Sequence, residues 1–151
     1  MKIEKWGNAI WFLFHTLAYK LKDEYQSELP ILYGFISEIC HNLPCPDCKN
    51  HATAYLKRIN KAYIISSKEN LIDFLLKFHN DTNIRLKKQI FSKEKMIELY
   101  SKANVYKIIM NFINIMNEET RNFKMILTNV ERKQCVSKFK TYIFKNNYKY
   151  C

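Results

Sequence analysis

The sequence contains very few glycines and prolines. Its 151 residues include only two glycines, Gly7 and Gly34, and three prolines. A phosphate-binding loop or a dinucleotide-binding fingerprint requires several glycines at fixed spacings, so both motifs are excluded. Strands are normally bounded by turn-forming residues, and their scarcity therefore disfavours a fold of many short strands. The composition favours a helical protein.

The sequence also lacks a long apolar run. No stretch approaches the roughly 18 uncharged apolar residues that a membrane-spanning helix needs. Residues 1–6 are followed by neither the apolar segment nor the small-residue cleavage site of a signal peptide. We therefore expect a protein without membrane association that resides in the cytoplasm.

Cysteine is scarce, and its number is odd. The five cysteines are Cys40, Cys45, Cys48, Cys135 and Cys151, which does not predict the disulfide framework of a secreted protein. Cys45 and Cys48 form a CxxC pair, a candidate redox pair in the first place and half of a metal site in the second. At a helix start such thiols are expected to ionise easily, because the N-terminal amides stabilise negative charge.

Positive charge is concentrated in the second half of the chain. The net charge is +11, and residues 76–151 contribute +10 of it. A lysine-rich solvated surface explains this pattern, and an anionic partner such as a phosphate-bearing cofactor is the alternative. Nucleic-acid binding is disfavoured because arginine is scarce in this half and no aromatic–basic ladder appears.

Apolar residues at spacings of three and four predict helices along the whole chain. The first predicted helix covers residues 3–22. Four further helices are predicted to begin at Pro30, at the CxxC pair, at a Ser66–Glu69 capping box and at Ser92. The last two begin at about residue 105 and cover residues 130–147. In the CxxC helix, Cys45 is expected at the mouth, Cys48 one turn in and His51 one turn further on the same face. The class is all-α, with a core over residues 1–103 and a helical extension over residues 104–151.

Several polar residues fall on apolar helix faces. A single buried histidine is usually a satisfied core residue, but here several such residues fall near helix ends, where buried polar groups need partners. A flat polar ligand with a phosphate tail would use them together with basic residues. The residues in question are His15, His79, Asn80, Asn83, Lys87 and Lys88.

Three segments taken together resemble a known family. They are Gly7-x-x-x-Trp11-x-x-x-His15-Thr16-Leu17, Cys45-Pro46-Asp47-Cys48-x-x-His51 and His79-Asn80-x-x-Asn83-x-x-Leu86-x-Lys88. In order and approximate spacing they resemble the Erv/ALR family of FAD-linked sulfhydryl oxidases over about residues 3–100. The small members of this family in large cytoplasmic DNA viruses are the most similar in length, which would place the protein in the host cytoplasm or the virion.

The resemblance implies a four-helix bundle with a short fifth helix that holds FAD at its mouth, beside the CxxC pair. It implies that Cys45 and Cys48 are catalytic, with Cys45 exchanging with the substrate and Cys48 next to the flavin. No metal is expected. The candidate cofactor-binding residues are Gly7, Trp11, His15, Tyr19, Cys48, His51, His79, Asn80, Asn83, Lys87, Lys88 and Tyr100, with Lys87 added by charge alone and Tyr19 the loosest match.

The implied reaction is 2 R-SH + O2 → R-S-S-R + H2O2. The implied partners are protein thiols or a small redox relay protein, O2, and a second copy in a homodimer formed through the first two helices. Cys135 and Cys151 are either incidental thiols or a pair that carries disulfides from the substrate to Cys45.

The sequence departs from the family pattern at several positions. Asn8, Thr82 and Gln89 replace residues common in relatives, and Leu76 and Lys93 stand where some members carry a structural disulfide.

The sequence allows three alternative interpretations. A thioredoxin-like domain is disfavoured because no proline follows Pro46. The others are a zinc site that adds His51 and Cys40 or His41 to the CxxC pair, and a redox-inactive helical adaptor.

Overall fold

The computed structural model describes residues 3–119 and 128–150, and within these ranges it contains helices and no strands. The helices are α1 (Ile3–Lys20), α2 (Leu29–Cys40), α3 (Pro46–Lys57), α4 (Lys61–Ile64), α5 (Lys68–Arg85), α6 (Lys93–Ser101), α7 (Val105–Met116) and α8 (Asn129–Asn146). Short 3₁₀ segments cover Asp23–Glu28 and Asn147–Lys149. The predicted all-α class is confirmed. Cys151 lies outside the described residues.

Helix α1 is the central element of the fold. Its apolar residues recur at spacings of three and four, so that Trp6, Ile10, Leu13 and Leu17 are all buried. Because both flanks of this stripe are also apolar, α1 packs against α5, α6 and α7 at once. One continuous hydrophobic core extends from Trp6 in α1 to Tyr150 near the end of the chain.

Helices α2 and α3 form a hairpin that presents the CxxC pair. Helix α2 ends at Cys40, as predicted from Pro44, and the side chains of His41 and Asn42 return to the carbonyl oxygens of Ser37 and Glu38 at 2.7 and 2.8 Å. Such bonds stabilise the end of a helix, and the Ser37 carbonyl also accepts from the His41 amide at 3.0 Å. The chain then reverses direction, and α3 begins directly after Cys45.

The predicted start of α5 was wrong by one residue. Ser67, not Ser66, caps this helix, and its Oγ accepts from the Asn70 amide at 3.0 Å. The Ser66 hydroxyl instead donates to the carbonyl of Tyr63 at 2.6 Å, at the end of the single-turn helix α4, which the apolar spacing did not predict. Asn60 caps α4 through its side chain, so local capping rather than an apolar stripe defines this helix.

Helices α7 and α8 pack on the first two helices. Helix α7 lies against α1, and α8 lies antiparallel to α2, with Phe35 against Phe139 (5.7 Å between ring centroids) and Lys138 bonded to Glu38 at 3.2 Å. Buried residues of both helices belong to the same core as α1. The division at residue 103 into a family-like core and an extension stays a prediction.

None of the described helices has the length and apolar character needed to cross a bilayer. The cytoplasmic location stays a prediction.

Candidate functional site

A cavity of about 450 Å³ opens between α1, α3, α5 and the segment that joins α5 to α6. This volume lies in the range of sites for small molecules and cofactors. Most of the predicted cofactor-binding residues line it, namely Gly7, Trp11, Cys48, His51, His79, Asn83, Lys88 and Tyr100. A Cβ atom at Gly7 would meet no heavy atom within 4 Å, so the space beside this glycine is open.

One wall of the cavity is a stack of rings. The indole of Trp11 lies flat on the imidazole of His79, with centroids 4.2 Å apart and planes 5° apart. The edge of Phe78 meets Trp11 at 5.2 Å, and Phe91 packs on His79 at 5.3 Å. A wall of this kind presents flat apolar surface with nitrogen atoms at its edges, which suits a planar heteroaromatic ligand.

His15 lies behind this wall and outside the cavity lining. Its Nε2 is 2.9 Å from Nδ1 of His79, and both side chains are buried. Burial lowers the pKa of His15 to about 3, with a further lowering by His79, and burial together with the charge of Lys88 lowers that of His79 to about 4. Both rings are therefore neutral at pH 7, and one of them donates to the other.

Three other predicted residues also lie outside the lining. Tyr19 packs on Tyr100 at 6.2 Å, with its hydroxyl buried and unpartnered among the described residues. Lys87 is exposed on the rim, and the side chain of Asn80 is committed to backbone. Spacing along a helix identified these positions, but the direction of each side chain in the packed fold takes it away from the cavity.

Asn80 and Asn83 hold the segment that closes the cavity. Asn80 donates to the Phe91 carbonyl and accepts from the Phe91 amide, both at 2.9 Å, while Asn83 donates to the carbonyl of Gln89 at 3.0 Å. These bonds replace strand or helix partners for a segment without regular structure. The two asparagines thereby fix Phe91 and Gln89 relative to α5.

The CxxC pair divides between the helix mouth and the cavity. Cys45 is the N-cap of α3, and its Sγ accepts from the backbone amide of Cys48 at 3.5 Å. Cys48 lies in the first turn of α3 and lines the cavity, whereas Cys45 does not. Both are present as thiols, the reduced state of the pair.

The expectation that both thiols ionise easily was wrong for Cys48. Burial, followed by the neighbouring Cys45, raises the pKa of Cys48 to about 11, although the Arg85 guanidinium lowers it in part. The backbone amide of Cys48, at the start of the helix, donates its hydrogen bond to the sulfur of Cys45. This amide therefore does not stabilise a thiolate at Cys48. In the reduced pair Cys48 keeps its proton at neutral pH.

Sequence reasoning missed the basic residues Arg58 and Arg85, which line the cavity together with Lys88. Arg85 lies within the third motif segment, between Asn83 and Lys88, so examination of the intervening positions would have found it. Arg58 directly follows α3 and lies over the Tyr55 ring at 5.5 Å. No sequence signal pointed to it.

The remaining described cysteines are buried. Cys40 and Cys135 have pKa values raised to about 12, chiefly by burial, and they carry no exposed sulfur for exchange with a substrate. Among residues 3–119 and 128–150, no three histidine, cysteine or acidic side chains converge as metal ligands, so the zinc alternative gains no support.

Comparison with known proteins agrees with the geometry of this site. The family model for Erv1/Alr proteins matches residues 8–102, which is more than half of the chain. The chain belongs to the Erv1/Alr family. This family segment contains every lining residue named above except Gly7, and it ends where α7 begins.

The similar proteins come from large DNA viruses. Protein 096R of Invertebrate iridescent virus 3 is 32% identical over 63% of this Erv1/Alr chain and 65% of its own length. Protein 347L of Invertebrate iridescent virus 6 is 34% identical over 56% of this chain and 82% of its own. Both are provisionally named FAD-linked sulfhydryl oxidases. The FAD-linked sulfhydryl oxidase of African swine fever virus is 27% identical over 65% of the chain and 82% of its own length.

The chain thus covers less than two thirds of the length of protein 096R. Among solved structures, none matches the chain at a significant level.

Proposed function

We propose that this Erv1/Alr chain is an FAD-dependent thiol oxidase that forms disulfide bonds in protein thiols and uses O2 as the electron acceptor. The observation that carries the proposal is the position of Cys48 in the lining of a cavity that also contains the stacked Trp11 and His79. The names of the viral relatives support the same activity and cofactor.

The residues that line the cavity suit FAD. Trp11, His79 and Phe91 offer flat surface to a ring system. Arg58, Arg85 and Lys88 bring positive charge for a pyrophosphate. When bound, FAD supplies two-electron redox chemistry between a dithiol and O2 that no side chain can perform.

Disulfide exchange begins at Cys45 because this sulfur lies at the helix mouth, outside the cavity. A substrate thiolate attacks Cys45 in the oxidised pair, so that a bond to Cys45 forms, the Cys45–Cys48 bond breaks and Cys48 leaves as a thiolate. A second substrate thiolate then displaces Cys45, which releases the substrate disulfide and leaves the pair reduced. Arg85 stabilises the leaving Cys48 thiolate.

The balanced reaction is 2 R-SH + O2 → R-S-S-R + H2O2. Cys45, at the helix mouth, reacts with the substrate thiols, and Cys48, in the cavity lining, faces the cofactor site.

The decisive experiment combines colour and turnover. The purified protein should be yellow, with flavin absorbance near about 450 nm, and should consume O2 with a small dithiol. Cys48→Ser should keep the bound flavin and lose turnover, whereas Cys151→Ser, the matched control outside the family segment, should retain both. A colourless protein would favour the helical adaptor instead, and normal dithiol oxidation by Cys48→Ser would refute the assignment of Cys48.

Protein thiols remain the proposed substrates, either directly or through a small relay protein. A shuttle role for Cys135 gains no support because this thiol is buried, and Cys151 lies outside the described residues. A homodimer through the first two helices stays a prediction. In this chain α7 and α8 already pack on α1 and α2, so such a dimer would use their remaining faces.

A further inference from the structure

The hydrogen bond between His15 and His79 connects a residue inside the fold to the cavity wall. His15 is 1% exposed and does not line the cavity, whereas His79 does. The 2.9 Å bond joins Nε2 of His15 to Nδ1 of His79. The other nitrogen of His79, Nε2, points away from this bond and is the one left for a ligand.

Stacking alone does not define how His79 presents its edge. The indole of Trp11, at 4.2 Å and 5°, fixes the plane of the imidazole. A 180° rotation of the ring about its Cβ–Cγ bond would keep this plane and exchange nitrogen for carbon on each side. The stacking energy would stay almost unchanged. Only a partner that distinguishes nitrogen from carbon selects one orientation, and His15 is that partner.

The same bond couples the tautomers of the two rings. Both histidines are neutral at pH 7, so the bond between them contains one hydrogen. If His15 donates, Nε2 of His79 carries a hydrogen and is a donor to the ligand. If His79 donates, its Nε2 is bare and is an acceptor.

His15 is itself held rigidly. Its ring stacks on Trp11 at 5.8 Å and on Tyr100 at 4.8 Å, with interplanar angles of 29° and 28°. Trp11 and Tyr100 line the cavity, so His15 is braced by two residues that face the ligand while it has no access of its own.

We propose that His15 is a positioning residue that fixes the ring orientation of His79 and couples the tautomers of the two rings, so that Nε2 of His79 faces the bound ligand. The identity of that ligand as FAD rests on the proposed function. The arrangement of the two histidines does not, because it is present in the protein alone.

The first test uses the protein without cofactor and reads the histidine nitrogens by 15N NMR at pH 7. In the wild-type protein, Nδ1 of His79 should have the chemical shift of a hydrogen-bonded nitrogen. His15→Phe keeps a ring for stacking but has no nitrogen, and it should move this signal to the shift of a nitrogen without that bond. His15→Gln can donate to or accept from Nδ1 of His79 and should restore the hydrogen-bonded shift. His41→Phe, at an exposed histidine outside the cavity, is the matched control and should change nothing.

The second test measures FAD affinity by quenching of flavin fluorescence. His15→Phe should bind about tenfold more weakly, the effect of one lost hydrogen bond in a buried site. His15→Gln should stay within about threefold of wild type, since it retains the bond. A purely structural role for His15 would lower the melting temperature of both variants without separating them in the Nδ1 shift of His79 or in FAD affinity.

The outcomes distinguish the inference from the proposed function. An unchanged Nδ1 shift of His79 in His15→Phe would overturn the inference, even if FAD binds normally. A changed Nδ1 shift in His15→Phe together with no FAD binding by the wild-type protein would uphold the inference and refute the proposed function. Unaltered FAD affinity in His15→Phe, when the Nδ1 shift does change, would overturn the part that concerns the ligand.

Discussion

At the scale of single residues, Arg85 is the cation that acts on Cys48. Arg85 is the last residue of α5, and Cys48 lies in the first turn of α3, so the cavity brings two distant helix ends together. Burial and Cys45 raise the pKa of Cys48, and Arg85 is the group that opposes them. A thiolate formed at Cys48 during exchange therefore depends on this side chain.

Arg85→Gln should raise the pKa of Cys48 further, because it removes the positive charge beside the sulfur. Measured in a Cys45→Ser background, alkylation of Cys48 at mildly alkaline pH should slow by about threefold to tenfold. Arg58→Gln is the matched control, because Arg58 lines the same cavity but contacts the Tyr55 ring. Equal slowing in both variants would show that the effect is not specific to Arg85.

Lys87 owes its position to the end of α5. It has a φ of 57°, and the amides of Lys87 and Lys88 bond to the carbonyls of Ile84 and Asn83 at 3.1 and 2.7 Å. This pair of bonds is the Schellman motif, in which glycine is favoured at the left-handed position. The backbone here serves helix termination, and the side chain of Lys87 lies outside the cavity.

Lys87→Gly should therefore raise the free energy of unfolding by about 0.5–1 kcal/mol, since glycine adopts this conformation without strain. FAD affinity should not change, whereas Lys88→Ala should weaken binding because Lys88 lines the cavity. Urea denaturation and flavin titration measure the two effects. Weaker FAD binding in Lys87→Gly would restore the sequence-based assignment of Lys87 as a cofactor residue.

At the scale of elements, a buried arginine joins α7 to α8. Arg132 is fully buried, and its Nε donates to the Met116 carbonyl at 3.1 Å while its Nη2 donates to the Glu118 carbonyl at 3.0 Å. These carbonyls lie at the C-terminus of α7, where a cation also compensates the helix dipole. Burial lowers the pKa of Arg132 from its ordinary value, and the guanidinium remains charged at neutral pH.

Arg132→Met should lower the free energy of unfolding by about 2–4 kcal/mol, because the buried Met116 carbonyl and the partly buried Glu118 carbonyl lose their donors. Lys133→Met, at the adjacent residue with a surface ion pair to Glu119, should cost less than about 1 kcal/mol. Urea denaturation of both variants measures the difference. Equal losses would show that Arg132 adds no more than a surface charge.

Ion pairs connect α5 to α6. Lys93, the first residue of α6, bonds to Asp73 at 3.1 Å and also to Glu69, both in α5. These groups are partly exposed, so the pair contributes little on its own. The bonds of Asn80 to Phe91 add a second connection that is independent of redox conditions.

At the scale of the whole molecule, the two neutral histidines make stability depend on pH. The pKa values of His15 and His79 lie at about 3 and about 4 in the folded protein, below the ordinary value of 6.5. At pH values between these folded pKa values and 6.5, both histidines bind protons in the unfolded chain but not in the folded protein. The free energy of unfolding is therefore highest above pH 6.5 and falls as the pH decreases.

From pH 7 to pH 5, each histidine should cost about 1–2 kcal/mol of stability. In His15→Gln one of the two groups is absent, so the fall between pH 7 and pH 5 should be smaller by about that amount. Urea denaturation at both values measures it, and the carboxylates titrate alike in the two proteins. An equal fall in both would contradict the assignment of the pH dependence to His15.

Local sequence patterns predicted most of the helices and the position of the CxxC pair at a helix start. Apolar spacing located α1, α7 and α8, and the caps at Ser92 and after Pro44 were read correctly, because periodicity and capping are local properties. The order of the three motif segments was enough to recognise the family. The start of α5 was misplaced because the adjacent Ser66 and Ser67 offer equivalent local signals, and the single-turn helix α4 was not predicted because it is too short to show an apolar stripe.

Which side chains face the cavity depends on how the helices pack, and local patterns did not predict it. Trp11 and His15 lie one helical turn apart on α1, yet one lines the cavity and the other lies behind it, because the rings of α5 and α6 occupy the space between. Tertiary packing also raised the pKa of Cys48 and brought Arg85 to it. Burial and the approach of distant helices depend on how the elements pack, and no local pattern of residues contains that information.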